Sequence, residues 1–528
     1  MTERHPHTTM LTRAHWDVLV IGGGIVGAGV FREAARAGLN VLLVEKGDFA
    51  SGTSSRSSKL IHGGLHYLAR GQVRLSLRSR RERDRMLQGG TGLVQRLRFR
   101  FPRPFVDSMP PWTRRLLLAV YDPGTRREGP RNGSATPDLC YTDAQTDDVR
   151  LVLRVLREGR AQGGVAVNYL RVDRLLQDET GRPVGALATD LRSGRRATLL
   201  ARVIVNATGF WADTLVQPGP AMGRTRGLRG SHLVFPRACL PLRSAVASVH
   251  ADTGRPVYAL PWGPVTLVGS TSIPHTSGPD TEPVISEAEV EYLLRWTQTT
   301  FPDRRIDVHD IRSTFSGVRA MAGQPGGKEL AHASREEHIG RGPGLVTVIG
   351  GKLTTFHSTA RRVMSHVRRE LGLPRSHSSS QPLDPLPVPW PGLPFSDPEA
   401  RRLMAFYGPS ALEALAGARP ADRKPLPGLN VCAAEIRWVC ARESVERLGD
   451  LMLRRFRWGL TAPLGGLPSI PRLRGIVCPA MGWSATRWQH EVQAYRTYWR
   501  HAHAPPSIQG SAPVGESRRR ARKQVASA

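Results

Sequence analysis

DVLVIGGGIVGAGV, residues 17–30, decides the fold, together with Glu45 at the end of the next apolar run, VLLVE. The apolar residues 18–21 read as a buried strand. Gly22, Gly24 and Gly27 then make G-x-G-x-x-G. The first glycine permits a tight turn, the second lets backbone approach a pyrophosphate, and the third lets helix and strand pack closely. VFREAARAG, ending at Gly38, supplies the helix, whose N-terminus offers free N–H groups and a positive dipole end to phosphate. Glu45 stands where an acid bonds a ribose hydroxyl. A lone glycine motif is weak evidence. Here the strand, the helix and the acid all stand at the required spacing.

Composition bounds the rest. A chain of 528 residues suggests roughly two to four domains. Hydrophobic content is 40%, ordinary for a soluble protein, and no apolar run approaches the ~20 residues that span a bilayer. Residues 18–30 belong to the nucleotide motif and not to a signal peptide, so the cytoplasm is the expected compartment. Cys140, Cys239, Cys432, Cys440 and Cys478 are scattered, odd in number and without C-x-x-C. That pattern argues against a disulfide framework or a zinc site, and no metal is expected. Lys and Arg total 75 against 44 Asp and Glu, a net charge of +31. The basic residues are spread along the chain without a nucleic-acid motif. Genome bias and an anionic membrane surface therefore outrank nucleic acid as explanations, and the field favours anionic substrates and lipids.

Along the chain, SGTSSRSSKLIHGGLHYL (51–68) is rich in hydroxyls and reads as a segment running beside a ligand. Residues 72–88 read as a charged helix, 142–164 as a helix with a start signal, and 165–200 as strands and hairpins. VIVNATGFWAD (203–213) is a strand ending in a glycine turn. Several strands follow over 228–275, then a helix over 286–301. GLVTVIGGKLTTF (344–356) is a strand, a paired-glycine turn and a helix from Lys352. Residues 372–397 form a Pro- and Ser-rich linker. Helices are expected beyond it, including SVERLGDLMLRRF, and the tail ends in RRRARK (518–523).

The chain resembles the FAD-dependent, quinone-linked glycerol-3-phosphate dehydrogenases. The matching segments are IGGGIVGAG, TSSRSSKLIHGGLHYL, RGQVRL, YTDAQTDDVRLVL, NATGFWAD, GSHLVFPR, LVGSTS, FSGVRAM and GGKLTTF, in order from residue 17 to about 370. AAEIRWVCARESVERLGDLMLRRF resembles the family's C-terminal helical domain. The combination of SSKLIHGG with GGKLTT sets this family apart from the general flavin fold. The implied fold class is α/β: a Rossmann-type FAD-binding domain interrupted by a mixed β-sheet substrate domain, plus an α-helical C-terminal domain. The implied division is 16–90 for the first part of the FAD-binding domain, then 91–230 for a cap insertion and return to it. The substrate domain takes 231–330 and the last FAD-binding part 331–371. The linker is 372–397, the helical domain 398–502 and the basic tail 503–528.

The resemblance implies FAD as cofactor, held by Gly22, Gly24, Gly27, Glu45, Thr53, Ser54, Ser55, Ser58, Lys59, Leu60, His62, Gly209, Gly351, Lys352, Leu353 and Thr354. Gly350 and Gly351 would present amides and a helix dipole to the flavin edge that gains negative charge on reduction. A dianionic phosphate ester needs cations, and its hydroxyl needs a base. By resemblance, His62, Arg319 and Lys352 are the catalytic group, and His66, Tyr67, Arg319 and Lys352 bind substrate. His62 suits the proton acceptor, since an unperturbed imidazole titrates near 6.5. The family usually reads H-G-G-L-R-Y, whereas this chain has His66 in place of the arginine. Losing a charge-assisted bond typically costs roughly 1.5–3 kcal/mol. Nearby arginines compensate, or the substrate differs. The implied reaction is oxidation of sn-glycerol 3-phosphate to dihydroxyacetone phosphate. The alternatives are a flavoprotein acting on an amine or amino acid, and a non-catalytic flavin-binding paralogue. The expected partners are glycerol 3-phosphate, a quinone, an anionic membrane met peripherally at the cytoplasmic face of the inner membrane, and a second copy in a homodimer.

Overall fold

A computed structural model of the protein describes residues 15–65, 72–101, 140–216, 223–323, 337–375, 381–388 and 392–506. His66, Tyr67, the LLLAVY run at 116–121, most of AGQPGG and the RRRARK tail lie outside these residues. The chain opens with β1 (His15–Ile21), α1 (Ile25–Arg36), β2 (Val41–Val44), β3 (Leu60–Ile61), α2 (Val73–Gly89), β4 (Val94–Arg100) and β5 (Cys140–Thr146). It continues with α3 (Asp148–Ala161), β6 (Val165–Val167), β7 (Leu170–Gln177), β8 (Pro183–Asp190), β9 (Arg196–Asn206) and β10 (Thr225–Pro236). Next come β11 (Ala245–Val249), β12 (Pro256–Trp262), β13 (Val265–Gly269), β14 (Ile273–His275), α4 (Glu287–Thr300), β15 (Ser313–Ala322), β16 (His338–Gly342), β17 (Leu345–Ile349) and α5 (Phe356–Glu370). The C-terminal helices include α6 (Asp397–Tyr407), α7 (Pro409–Ala416), α8 (Ala433–Arg442), α9 (Ile470–Met481) and α10 (Ala485–Ala502).

Two sheets carry the site. The first runs β16-β17-β9-β1-β2-β6, with β8 joined to β9 and β7 to β8. Its centre is parallel, with Val18 opposite Val41 and Ile21 opposite Val44. Alternation along β1 decides which residue faces which layer. Val18 and Val20 pack with Phe31 of α1, Val152 of α3 and Val363 of α5. Leu19 and Ile21 pack on the other face with Leu170, Val172 and Leu199. A Cβ on Gly27 would lie 1.9 Å from the Gly22 carbonyl oxygen, so a side chain there would push α1 off the strand. The second sheet runs β14-β10-β13-β12-β11-β4-β5-β3, and β15 pairs along its whole length with β10, from Thr225–Ala322 to Val234–Ser313. The fold class is thus α/β, with a helical C-terminal region that has its own core around Tyr407, Ile436, Leu448 and Trp499.

Three expectations need correction. Residues 142–146 belong to strand β5, not to a helix: they pair with β4 and β3, and the helix starts only after Asp147, whose carboxylate accepts from the amides of Val149 and Arg150. The helix expected from Lys352 begins at Phe356, because Gly350 and Gly351 hold φ of +83° and +99° and a turn follows them. SVERLGDLMLRRF forms one π-helical stretch, Asp450–Arg455, not a long α-helix. The linker is docked where it is described: Leu383 is buried in the first core, and Asp384 receives Arg32 and Arg36.

Candidate functional site

The glycine turn after β1 opens a cavity of about 1490 Å³ between the two sheets. Gly22 holds φ +112° and its missing Cβ would meet the Ala207 carbonyl oxygen at 2.6 Å, so the turn packs directly on the end of β9. Glu45 closes β2. Its Oε2 accepts from the Gly23 amide at 2.7 Å and its Oε1 from the Gly47 amide at 2.8 Å. Burial pushes this carboxyl up from its ordinary value, against the pull of the two amides. Ser54 Oγ accepts from the Ile25 amide at 2.9 Å, which ties the 51–64 segment to the start of α1.

Gly22, Gly24, Glu45, Thr53 and Ser54 line one part of this cavity, and Ser58, Leu60, His62 and Gly209 also reach it. Arg319, Gly351, Lys352, Leu353 and Thr354 line it as well. Thr53 spans to the second sheet, its hydroxyl donating to the Val318 carbonyl at 2.5 Å. The His62 amide donates to Thr354 Oγ1 at 3.2 Å, so the histidine and the 350–354 turn are held together. Arg319 projects from β15 and donates to Ser270 Oγ at 3.0 Å.

Three of the expected residues are not among those that line the cavity. Gly27 serves the packing of α1 on β1. Ser55 is buried, and its carbonyl accepts from Lys59 at 2.7 Å. Lys59 is sealed away, with Nζ 2.6 Å from Asp148 Oδ2, and Arg457 donates to the other oxygen of that carboxylate at 3.0 Å. Burial, helped by Arg457 and opposed by Asp148, pulls the Lys59 ammonium down to about 8. This lysine is a buried structural cation, fixed by an acid 89 residues away in sequence.

Other residues of the site escaped the sequence reading. Tyr141 and Asp143 stand on β5, and both reach the cavity. Asp143 Oδ1 accepts from the Gly63 amide and from Arg83, each at 2.8 Å, so it pins the glycine pair that follows His62. Phe99 stacks on Tyr141 at 4.8 Å and meets Tyr258 edge-on at 6.2 Å, giving the cavity an aromatic wall. Buried His232 stacks on Phe315 at 4.5 Å, with Nε2 2.9 Å from Ser58 Oγ. Burial, with Lys59 and Arg319 nearby, holds this imidazole well below its ordinary value, so it is neutral at pH 7. The segments YTDAQT and GSHLVFPR were the signal for these residues. Their roles depend on strand pairings that no local pattern reveals.

Residues 17–363 match the family model described as DAO, FAD dependent oxidoreductase. The chain belongs to this family. The oxidoreductase is 32% identical over 398 residues to the aerobic glycerol-3-phosphate dehydrogenase of Bacillus subtilis, covering 70% of each chain. It is 27% identical over 537 residues to a probable mitochondrial glycerol-3-phosphate dehydrogenase of Caenorhabditis elegans, covering 93% of this chain and 74% of that one. Its fold matches the structure of a Bacillus halodurans glycerol-3-phosphate dehydrogenase complexed with FAD, at TM-score 0.75 and 24% identity, over 97% of this chain and 99% of the other. FAD is the family's cofactor and suits the residues present in the oxidoreductase. A half-buried carboxylate follows β2, side-chain-free backbone lies at Gly22 and Gly24, and a second glycine pair at Gly350–Gly351 lines the same cavity.

Proposed function

We propose that this oxidoreductase converts sn-glycerol 3-phosphate to dihydroxyacetone phosphate and passes the electrons to a quinone. One observation carries the reading: Arg319, Lys352 and His62, two cations and a candidate base, line the same cavity as the nucleotide-binding turn. FAD would be held by the turn at Gly22 and Gly24, by Glu45 and by the Gly350–Gly351 pair, and would supply a two-electron acceptor for the substrate's hydride. Arg319 and Lys352 hold the phosphate dianion, Arg319 with a fork suited to paired oxygens. His62 receives the hydroxyl proton, and its backbone amide is tied to Thr354 Oγ1 in the turn that carries Lys352. Tyr141, Phe99 and Tyr258 give the same cavity an apolar wall. The names of the curated relatives support the same substrate.

We also place the protein against an anionic membrane at the cytoplasmic face of the inner membrane. No helix among the described residues is long and apolar enough to cross a bilayer. The exposed face of α2 carries Val73 and Leu77 beside Arg74, Arg81 and Arg85, a pattern suited to an anionic surface. A homodimer stays part of the proposal.

His66, in place of the family's arginine, favours one second reading, an amine or amino acid as substrate. Dye-linked turnover across a panel of phosphate esters, amines and amino acids separates the two. Glycerol 3-phosphate is expected to be the best substrate, with Arg319→Ala lowering kcat/KM by about tenfold to a hundredfold. Turnover of an amino acid with glycerol 3-phosphate inert would overturn the proposal.

A further inference from the structure

The segment between β14 and α4 leaves the second sheet and crosses to the opposite wall of the cavity, where all five residues from Pro279 to Pro283 line it. Two acids anchor it there. Asp280 accepts from Lys46 Nζ at 2.6 Å and from Trp211 Nε1 at 2.8 Å. Lys46 also lies over the Trp211 ring, 4.4 Å from its centroid, so the three side chains form one closed cluster. Glu282 binds the Arg56 guanidinium through both carboxylate oxygens, the Nη2–Oε2 distance being 3.2 Å. Arg56 is braced from behind by the Tyr498 hydroxyl of α10 at 3.1 Å.

The positions of the two cations give the arrangement its meaning. Lys46 directly follows Glu45, the acid of the nucleotide-binding turn, and Arg56 lies in the hydroxyl-rich segment that lines the same cavity. Asp280 and Glu282 therefore bridge two parts of the cofactor's bed from the far side. Thr281 lies between them, and Pro279 and Pro283 flank them and stiffen the span.

We propose that residues 279–283 are a strap that retains the FAD, with Asp280 and Glu282 as its positioning residues. A bound dinucleotide leaves this cavity only when both ionic anchors have opened, so the anchors set the rate of release and not the chemistry. The inference rests on the FAD site alone and is independent of which substrate is oxidised.

The test is FAD release from the purified holoenzyme, followed by flavin fluorescence after dilution into an excess of an apoflavoprotein trap. The Asp280→Asn/Glu282→Gln double variant is expected to release FAD about tenfold faster at low salt. Wild-type release is expected to accelerate with sodium chloride, because salt screens the partly exposed anchors, while the double variant responds little. Asp280→Glu keeps the anion and is expected to retain slow, salt-sensitive release. The urea midpoint of each apoprotein is measured alongside and is expected to match the wild type. Equal release rates, a faster release that keeps the wild-type salt response, or a drop in apoprotein stability that accounts for the change would each overturn the proposal.

Discussion

His503 stands just beyond α10 and joins the C-terminal region to β15. Its Nδ1 lies 2.9 Å from the Thr314 carbonyl oxygen, and its own carbonyl accepts from the Thr314 amide at 2.8 Å. Burial pulls the imidazole from 6.5 down to about 4, against the Thr314 carbonyl that favours the proton. The folded protein thus keeps His503 neutral at a pH where the unfolded chain has already taken up a proton. Between about pH 6.5 and 4 the unfolded state binds more protons, and stability falls as the pH drops through that window. Between pH 7 and 5 this group alone removes about 2 kcal/mol. Urea unfolding at the two values should therefore show His503→Gln losing less stability than the wild type on acidification. Identical losses would exclude His503 from the acid response.

At the scale of elements, the π-helical stretch Asp450–Arg455 decides how the C-terminal helices meet the nucleotide-binding sheet. Arg455 binds Asp48 through two parallel bonds of 2.7 and 2.8 Å, with both side chains buried. Arg454 reaches the same carboxylate and Asp450. Burial pushes Asp48 up, but the two guanidiniums outweigh it and hold the carboxyl below its ordinary range. Removing one partner of such a buried pair strands a charge, at a cost of about 3–5 kcal/mol. Arg455→Met should lose about that much stability by urea unfolding, and Asp48→Asn added to it should restore part. A loss under about 1 kcal/mol would mean that Arg454 alone suffices.

The same elements set how far the sequence could be read. The β1–α1–β2 unit was legible because its signals are local: an apolar strand, glycines whose spacing matches a turn, and an acid at the next strand end. The paired glycines at 350–351 were legible for the same reason. Strand β5 was not, because TDAQT resembles a helix entry and only its pairing with β3 and β4 makes it extended. Lys59 sits in a motif whose neighbours line the cavity, yet its partner Asp148 comes from the start of α3. The aromatic wall of Phe99, Tyr141 and Tyr258 joins three strands far apart in the chain. His66 and Tyr67 fall outside the described residues, so their part in the site rests on the motif alone.

At the scale of the whole molecule, a sheet with a parallel centre provides a nucleotide bed and the turn that carries Lys352, a largely antiparallel sheet provides Arg319 and the aromatic wall, and the C-terminal region braces the first through Arg454 and Arg455 and the second through His503. The net charge of +31 draws anions towards the molecule, whether substrate or lipid. We propose that this assembly oxidises glycerol 3-phosphate at a bound FAD. The most direct test is anaerobic mixing of the purified yellow protein with glycerol 3-phosphate while the oxidised flavin absorbance is followed. Rapid bleaching is expected, with full loss of that absorbance at millimolar substrate. A flavin that stays bound and oxidised under those conditions would contradict the account.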